Sequence, residues 1–325
     1  MVTAGAALRI VFFGTPDFAV PILQALQDSR HPVVGVVTRP DRPRGRGQRS
    51  QPSQITGIAR HDGLPVLQPE RLREEGFLHA LKDLRADLGV VAAYGQILTD
   101  AVLQVPAKGF VNVHASLLPK YRGAAPIHRA VVAGESVTGV TIMRVVKTLD
   151  AGPMLSAVSR PIGPDETSVE VERDLALIGA QALVRAVDAL AEGRLVETPQ
   201  DDAESSYAPR LEKADGIVNW SASARAIHNQ IRGLHPWPHA YADLDGERLI
   251  LLRSLVETEQ NVGRLIEPGT VVEAEGDVLS VQTGKGVLRL LTLQREGRRS
   301  VSARQFIAGS RIRDGSKFVR SQSPV

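Results

Sequence analysis

The chain has 325 residues, 43% of them hydrophobic and 23% charged, and its 39 basic and 36 acidic side chains leave a formal net charge of +3. That balance excludes a disordered or collagen-like chain, and a length beyond the roughly 250–300 residues that one core sustains predicts two domains. Cysteine is absent, which excludes a disulfide framework, thiolate metal ligands and a thiol nucleophile.

Residues 8–13 form a short apolar run, the pattern of a buried strand, and lead into Gly14-Thr15-Pro16. Thr15 can cap and Pro16 can open a helix whose apolar face is Phe18, Val20, Ile22, Leu23 and Leu26. Residues 33–37 read as the next strand, so the unit is strand–helix–strand with a right-handed crossover. Further along, 71–84 reads as a helix, 88–93 and 110–113 as buried strands, 125–133 as a helix, 140–145 as a strand and 168–191 as a long amphipathic helix. The alternation predicts an α/β fold, a Rossmann-like open parallel-rich sheet over residues 1–196.

The polar, aperiodic stretch 197–209 reads as a linker. Beyond it, 222–231 predicts a helix, and short β-like runs fall at 240–244, 249–252, 270–272, 278–282 and 287–293, separated by glycine-containing turns. That spacing predicts a smaller OB-like β-barrel within residues 210–325, with a tail from about 311 that reads as flexible or as an added nucleic-acid contact. No run approaches the roughly 18 apolar residues of a membrane span, and the first residues lack the basic and apolar regions of a secretory signal. A cytoplasmic protein with no membrane partner is the expected class.

Charge is uneven. Through Pro209 the chain carries 22 basic and 23 acidic residues, and from Arg210 onward 17 basic and 13 acidic. Arginines gather at 39, 42, 44, 46 and 49, and basic residues again at 295, 298, 299, 304, 311, 313, 317 and 320. Such clusters either neutralise phosphates or form a solvated basic surface.

The loop after the first strand is not Gly-x-Gly-x-x-Gly, and no Walker A pattern occurs, so a dinucleotide or P-loop reading is disfavoured. The richest segment is 111–126. Asn112 and His114 alternate by two, so on a strand they share a face. An amide donor and an imidazole there suit acyl transfer, the amide hydrogen-bonding a developing oxyanion and the imidazole moving a proton. The other reading is that both only cap the strand end. Asp150, in a loop after a strand, is the candidate carboxylate to orient the ring, or else a turn-former before Gly152. No histidine–glutamate pair has metal-ligand spacing, and no metal is expected.

These residues carry a resemblance. FGTPDFA at 13–19, PDRPRGRG at 40–47, AYG at 93–95, NVH at 112–114, SLLP at 116–119, RGAAPI at 122–127, LDAG at 149–152 and HPWP at 235–238 resemble the methionyl-tRNA formyltransferase family of folate-dependent formyltransferases. The likeness extends from about residue 8 to about 306. It implies transfer of a formyl group from 10-formyltetrahydrofolate to the amino group of initiator methionyl-tRNA, with Asn112, His114 and Asp150 as the catalytic trio. It implies a folate pocket built from Ser116, Leu117, Leu118 and Pro119, with Tyr94, Gly95 and Gln96 lining the pterin through backbone groups. It implies tRNA contacts from Arg42, Arg44, Arg46 and Arg49, in a loop that orders on binding, and from a basic face of the second domain that includes Arg304. It favours a monomer. The nearest alternative is a relative that formylates a nucleotide-sugar amine. A folate hydrolase and a non-catalytic RNA-binding protein on the same fold are the others. Ala115 departs from the family pattern, where glycine is common.

Overall fold

The computed structural model describes residues 5–41, 43–44, 49–50, 52–260 and 266–322. The chain divides into two compact units. One takes residues up to Pro126 with Thr138–Arg160 and Glu172–Ala208, and the other takes Ile127–Val137, Pro161–Val171 and the chain from Pro209 onward.

The first unit is built on a seven-stranded sheet. Its strands are β1 (Ile10–Gly14), β2 (Val33–Val37), β3 (Val66–Leu67), β4 (Leu88–Ala92), β5 (Phe110–His114), β6 (Val137–Arg144) and β7 (Met154–Pro161), in the spatial order β7-β6-β5-β4-β1-β2-β3. The strands from β3 to β5 pair in parallel, and β6 runs antiparallel to β5. Ile10, Val11, Phe12 and Phe13 are wholly buried, as an apolar run covered on both faces requires.

The helix after β1 starts later than its sequence suggests, at Ala19, and runs to Gln27 with Ala19, Ile22, Leu23 and Leu26 on its buried face. Thr15 does not cap it. Its hydroxyl instead accepts from the backbone N–H of Arg39 at 3.2 Å and tethers the end of β1 to the end of β2. The long helix Ser168–Ala191 forms as read, and Gly179 lets it approach β5. A Cβ there would stand 2.9 Å from the Val113 side chain. Short or half-exposed elements escape a sequence reading, the helix Gln54–His61 and strand β7 among them. The helix Gln54–His61 is short and contains Gly57, but Ser53 caps it by accepting from the Thr56 N–H. Strand β7 lies at the sheet edge and is half exposed, so its sequence lacks a buried run.

The second unit holds an antiparallel sheet that makes an OB-like barrel. Its strands are β8 (Ala240–Leu244), β9 (Glu247–Thr258), β10 (Val271–Glu275), β11 (Val278–Gln282), β12 (Val287–Arg295), β13 (Ser300–Ser302) and β14 (Phe318–Val319), ordered β10-β11-β12-β9-β8-β14 with β13 on β12. The β9–β12 register slips between Leu251 and Arg253, again at Arg253/Ser254, and between Val256 and Thr258. Slips of this kind bend and coil a sheet. A helix at Ala224–Gly233, capped by Ser223, buries Ala224, Ile227 and Ile231 in the same core.

Where the sequence reads as a flexible tail from 311, the described residues 311–322 belong to the barrel. Ile312 and Phe318 belong to the barrel core. Strand β14 pairs with β8, and Lys317 bridges Thr270 beside β10, so this segment joins the two edges of the sheet. Phe318 supplies the reason, because its ring packs 5.3 Å from that of Trp220 and it is only 1% exposed. No helix among the described residues is long and apolar enough to cross a membrane.

Candidate functional site

The carboxyl ends of β1, β4 and β5 lie side by side, because Gly14 is in register with Ala92 and Val91 with Asn112. In an open parallel sheet this is where a ligand is bound. Val113 is buried in the layer beneath, so the alternation sends Asn112 and His114 to the opposite face.

His114 is 5% exposed. Its Nε2 lies 2.9 Å from the carbonyl oxygen of Tyr121, and its Nδ1 lies 3.7 Å from Oδ2 of Asp150. The second distance is too long for a hydrogen bond and short enough for an ion pair. Both ring nitrogens therefore face oxygen acceptors. Asp150 Oδ2 also accepts from the Gly123 N–H at 2.9 Å. Thus the structure brings His114 and Asp150 together, and Asn112 joins them through strand register rather than through a contact of its own.

The supporting groups are mostly backbone. Residues 119–125 present the Tyr121 carbonyl to the imidazole and the Gly123 N–H to the carboxylate. Two-residue strands at Arg122–Gly123 and Tyr207–Ala208 pair in parallel and hold that segment. Gly123 has φ +120, and a Cβ on it would stand 2.7 Å from both the Ala208 carbonyl oxygen and the Tyr207 ring.

The loop after β5 is tied to β6. Ser116 Oγ donates to the Lys120 carbonyl at 2.7 Å, so the hydroxyl is used within the loop. Buried Thr141 donates to the Ser116 carbonyl and accepts from the Leu118 N–H. Leu117 packs over Gly139, where a Cβ would meet its side chain at 2.5 Å. Leu118 is buried, and Pro119 follows it through a cis peptide bond. Thr141 carries no motif and is invisible in the sequence.

Tyr94 follows β4. Its ring is buried edge-on against Phe13, and its hydroxyl has no partner among the described residues. Burial pushes the phenol up to about 12, against the opposing pull of the Arg39 guanidinium. The Tyr94 side chain is therefore packing. The backbone beside it is different. Gly95 is exposed with φ +78, Gln96 is half buried, and residues 94–98 make no backbone hydrogen bond among the described residues. Backbone groups left open at the end of a central strand can take a planar, donor- and acceptor-rich ligand. Arg39 flanks this loop. A Cβ at Gly95 would stand 3.6 Å from its Nη1.

Arg42 and Arg46 lie outside the described residues. Arg44 is in backbone register with Arg49 in a two-residue antiparallel pair, Pro43–Arg44 with Arg49–Ser50. In the second unit Arg298, Arg299 and Arg304 are exposed, whereas Arg295 is engaged with Glu247 and lies 5.1 Å over the Phe306 ring. Among the described residues no group of three or more histidine, aspartate or glutamate side chains is placed to hold a metal ion.

Comparison with known proteins matches the sequence to a family. Residues 8–187 match the formyl transferase model, and residues 210–311 match the model of the formyl transferase C-terminal domain. The chain belongs to the formyl transferase family. Within the family it is 46% identical over 316 residues to a methionyl-tRNA formyltransferase of Heliobacterium modesticaldum, a match covering 96% of this chain and 100% of the relative. Among solved structures of formyl transferase fold, it is similar to an N-formyltransferase from Helicobacter canadensis solved with folinic acid and dTDP-3-aminofucose. There the TM-score is 0.66 and the identity 16%, over 89% of this chain and 99% of that one. It is also similar to HypX from Aquifex aeolicus in complex with tetrahydrofolic acid, with a TM-score of 0.64 and 15% identity over 92% of this chain. It spans 47% of the HypX chain.

Proposed function

We propose that this chain transfers the formyl group of 10-formyltetrahydrofolate to the amino group of initiator methionyl-tRNA, in the cytoplasm and as a monomer. The observation that carries this reading is the 46% identity to a methionyl-tRNA formyltransferase along that protein's whole length. A likeness of 16% to the dTDP-sugar enzyme is one of fold.

In this reading the methionyl amine attacks the formyl carbon. The carbonyl π electrons move onto oxygen, and the tetrahedral oxyanion collapses with cleavage of the bond to N10. N10 leaves with its electron pair and takes a proton. Asn112, on the substrate-facing side of β5, donates its amide N–H to the oxyanion. A donor preorganised for charge that develops in the transition state lowers the barrier by about 3–4 kcal/mol. His114, seated between the Tyr121 carbonyl and Asp150, carries the amine's proton toward N10. Its positive charge, when protonated, lies beside the oxyanion and is balanced by Asp150.

The pterin sits against the open backbone of residues 94–98, and the rest of the folate lies along the 116–119 loop. Ser116 acts there by shaping the loop, since its hydroxyl is held by Lys120. Arg42, Arg44, Arg46 and Arg49 contact acceptor-stem phosphates, and Arg304 with its exposed neighbours contacts the tRNA backbone. Phosphate contacts of this sort position the substrate and weaken with salt.

The test compares formyl transfer from 10-formyltetrahydrofolate to charged initiator methionyl-tRNA, charged elongator methionyl-tRNA and a nucleotide-sugar amine at one salt concentration. Preferential formylation of the initiator is expected. Transfer to the sugar amine alone, or folate hydrolysis without transfer, overturns the proposed acceptor.

A further inference from the structure

The polar stretch that composition reads as a plain connection contains the side chain that braces the His114–Asp150 pair. Gln200 uses all of its amide. Its Nε2 donates to the carbonyl oxygens of Asp150 at 2.9 Å and Gly152 at 2.7 Å. Its Oε1 accepts from Nε and Nη2 of Arg122 at 3.0 and 2.8 Å. Arg122 directly precedes Gly123, the residue whose N–H donates to the Asp150 carboxylate. One side chain therefore joins the two segments that define the pair, the loop bearing Asp150 and the segment presenting Tyr121 and Gly123.

Asp150 needs such a hold. Its φ of +48 lies in the left-handed region, which a residue other than glycine adopts at a cost in backbone energy. Two donors aimed at the carbonyls of 150 and 152 fix the 150–151 and 152–153 peptide planes. Arg122 has a second partner in Asp202 at 2.7 Å, but that carboxylate is 83% exposed and, among the described residues, makes no hydrogen bond to the Asp150 loop.

We propose that Gln200 is a positioning residue for formyl transfer. It holds the Asp150 carboxylate in register with His114, and the proposal rests on reading that pair as catalytic. Gln200 acts through the loop backbone and not on substrate.

Four variants test it: Gln200→Leu, Gln200→Glu, Asp202→Ala and Asp150→Asn. Glutamate keeps the acceptor for Arg122 but loses both donors to the Asp150 loop, so it separates bracing of that loop from anchoring of Arg122. Gln200→Leu and Gln200→Glu are each expected to lower kcat for methionyl-tRNA formylation by about 10- to 100-fold, the scale of a displaced supporting shell. KM for both substrates and the thermal unfolding midpoint stay near those of the unaltered protein. Asp202→Ala keeps its kcat. Asp150→Asn combined with Gln200→Leu is no slower than Asp150→Asn alone, because both act through one group. Wild-type kcat in Gln200→Glu, or fully additive losses in the double variant, overturns the proposal while leaving the catalytic pair intact. Full kcat in Asp150→Asn removes the pair and this proposal with it. If Gln200→Leu does not fold, Gln200→Glu, which keeps the Arg122 contact, decides the matter.

Discussion

Phe318→Ala is expected to unfasten the barrel. Phe318 is 1% exposed, packs against Trp220 and sits in the strand that pairs with β8. Its N–H donates to the Gly269 carbonyl at 2.8 Å, and alanine keeps that bond, so the substitution isolates the ring. Deleting a fully buried phenylalanine ring costs about 3–5 kcal/mol through lost transfer energy and the cavity left behind. With an m-value of about 2 kcal/mol per molar urea, the midpoint of the unit's unfolding transition should fall by about 1.5–2.5 M. The chain contains two tryptophans. Trp220 is 3% exposed and touches Phe318, whereas Trp237 is 48% exposed, so a blue-edge fluorescence change in urea follows the barrel core. Val319→Ala, at a position 47% exposed, should stay within about 0.5 kcal/mol. A midpoint for Phe318→Ala that matches the Val319→Ala control would refute the placement of this segment in the core.

Asn112→Ala should reduce kcat by about 10²–10³ while equilibrium binding of tetrahydrofolate is retained, and loss of binding with kcat unchanged would remove Asn112 from oxyanion stabilisation. Gly123→Ala must place a methyl group against the Ala208 carbonyl and the Tyr207 ring at a φ that disfavours any side chain. Formylation should fall with it, and an unchanged rate would show that Asp150 does not depend on the Gly123 N–H. The pH dependence of stability follows from the histidines of the second unit. Burial, reinforced by Arg129, lowers His128 from 6.5 to about 4, and burial lowers His228, His235 and His239 as well. Each binds protons more readily unfolded than folded, so its contribution is fully present above about pH 6.5 and is lost as the pH falls through the folded value. For His128 the window runs from about 6.5 down to about 4. Urea midpoints measured across that range should decline, and His128→Gln should flatten the decline. A profile that stays flat in the unaltered protein argues against buried neutral imidazoles.

Much of the molecule can be read from its residues, for physical reasons that differ by element. The helix Ser168–Ala191 is long enough for its apolar stripe to repeat many times, and β1 and β4 are runs that only a doubly covered strand would tolerate. The helix Gln54–His61 repeats its stripe barely twice, and β7 is half solvated, so neither carries a comparable pattern. The tail conceals its role because two apolar side chains, Ile312 and Phe318, do all its core packing among charged neighbours. At the site, Asn112 and His114 are legible because a period of two puts distinctive side chains on one face. Their support is not. The Tyr121 carbonyl and the Gly123 N–H exist at nearly every position of any chain, and Gln200 lies 50 residues from the loop it braces.

A shell made of peptide groups has an evolutionary consequence. Substitution cannot delete a carbonyl or an N–H, except where proline removes the donor, so the contacts to His114 and Asp150 survive changes in the side chains that flank them. Tolerance at such a position depends on dihedral angles and not on chemistry. Drift would therefore be permitted wherever the backbone path is kept, and purifying selection would fall on residues such as Gly123 and Asp150 whose conformations define that path.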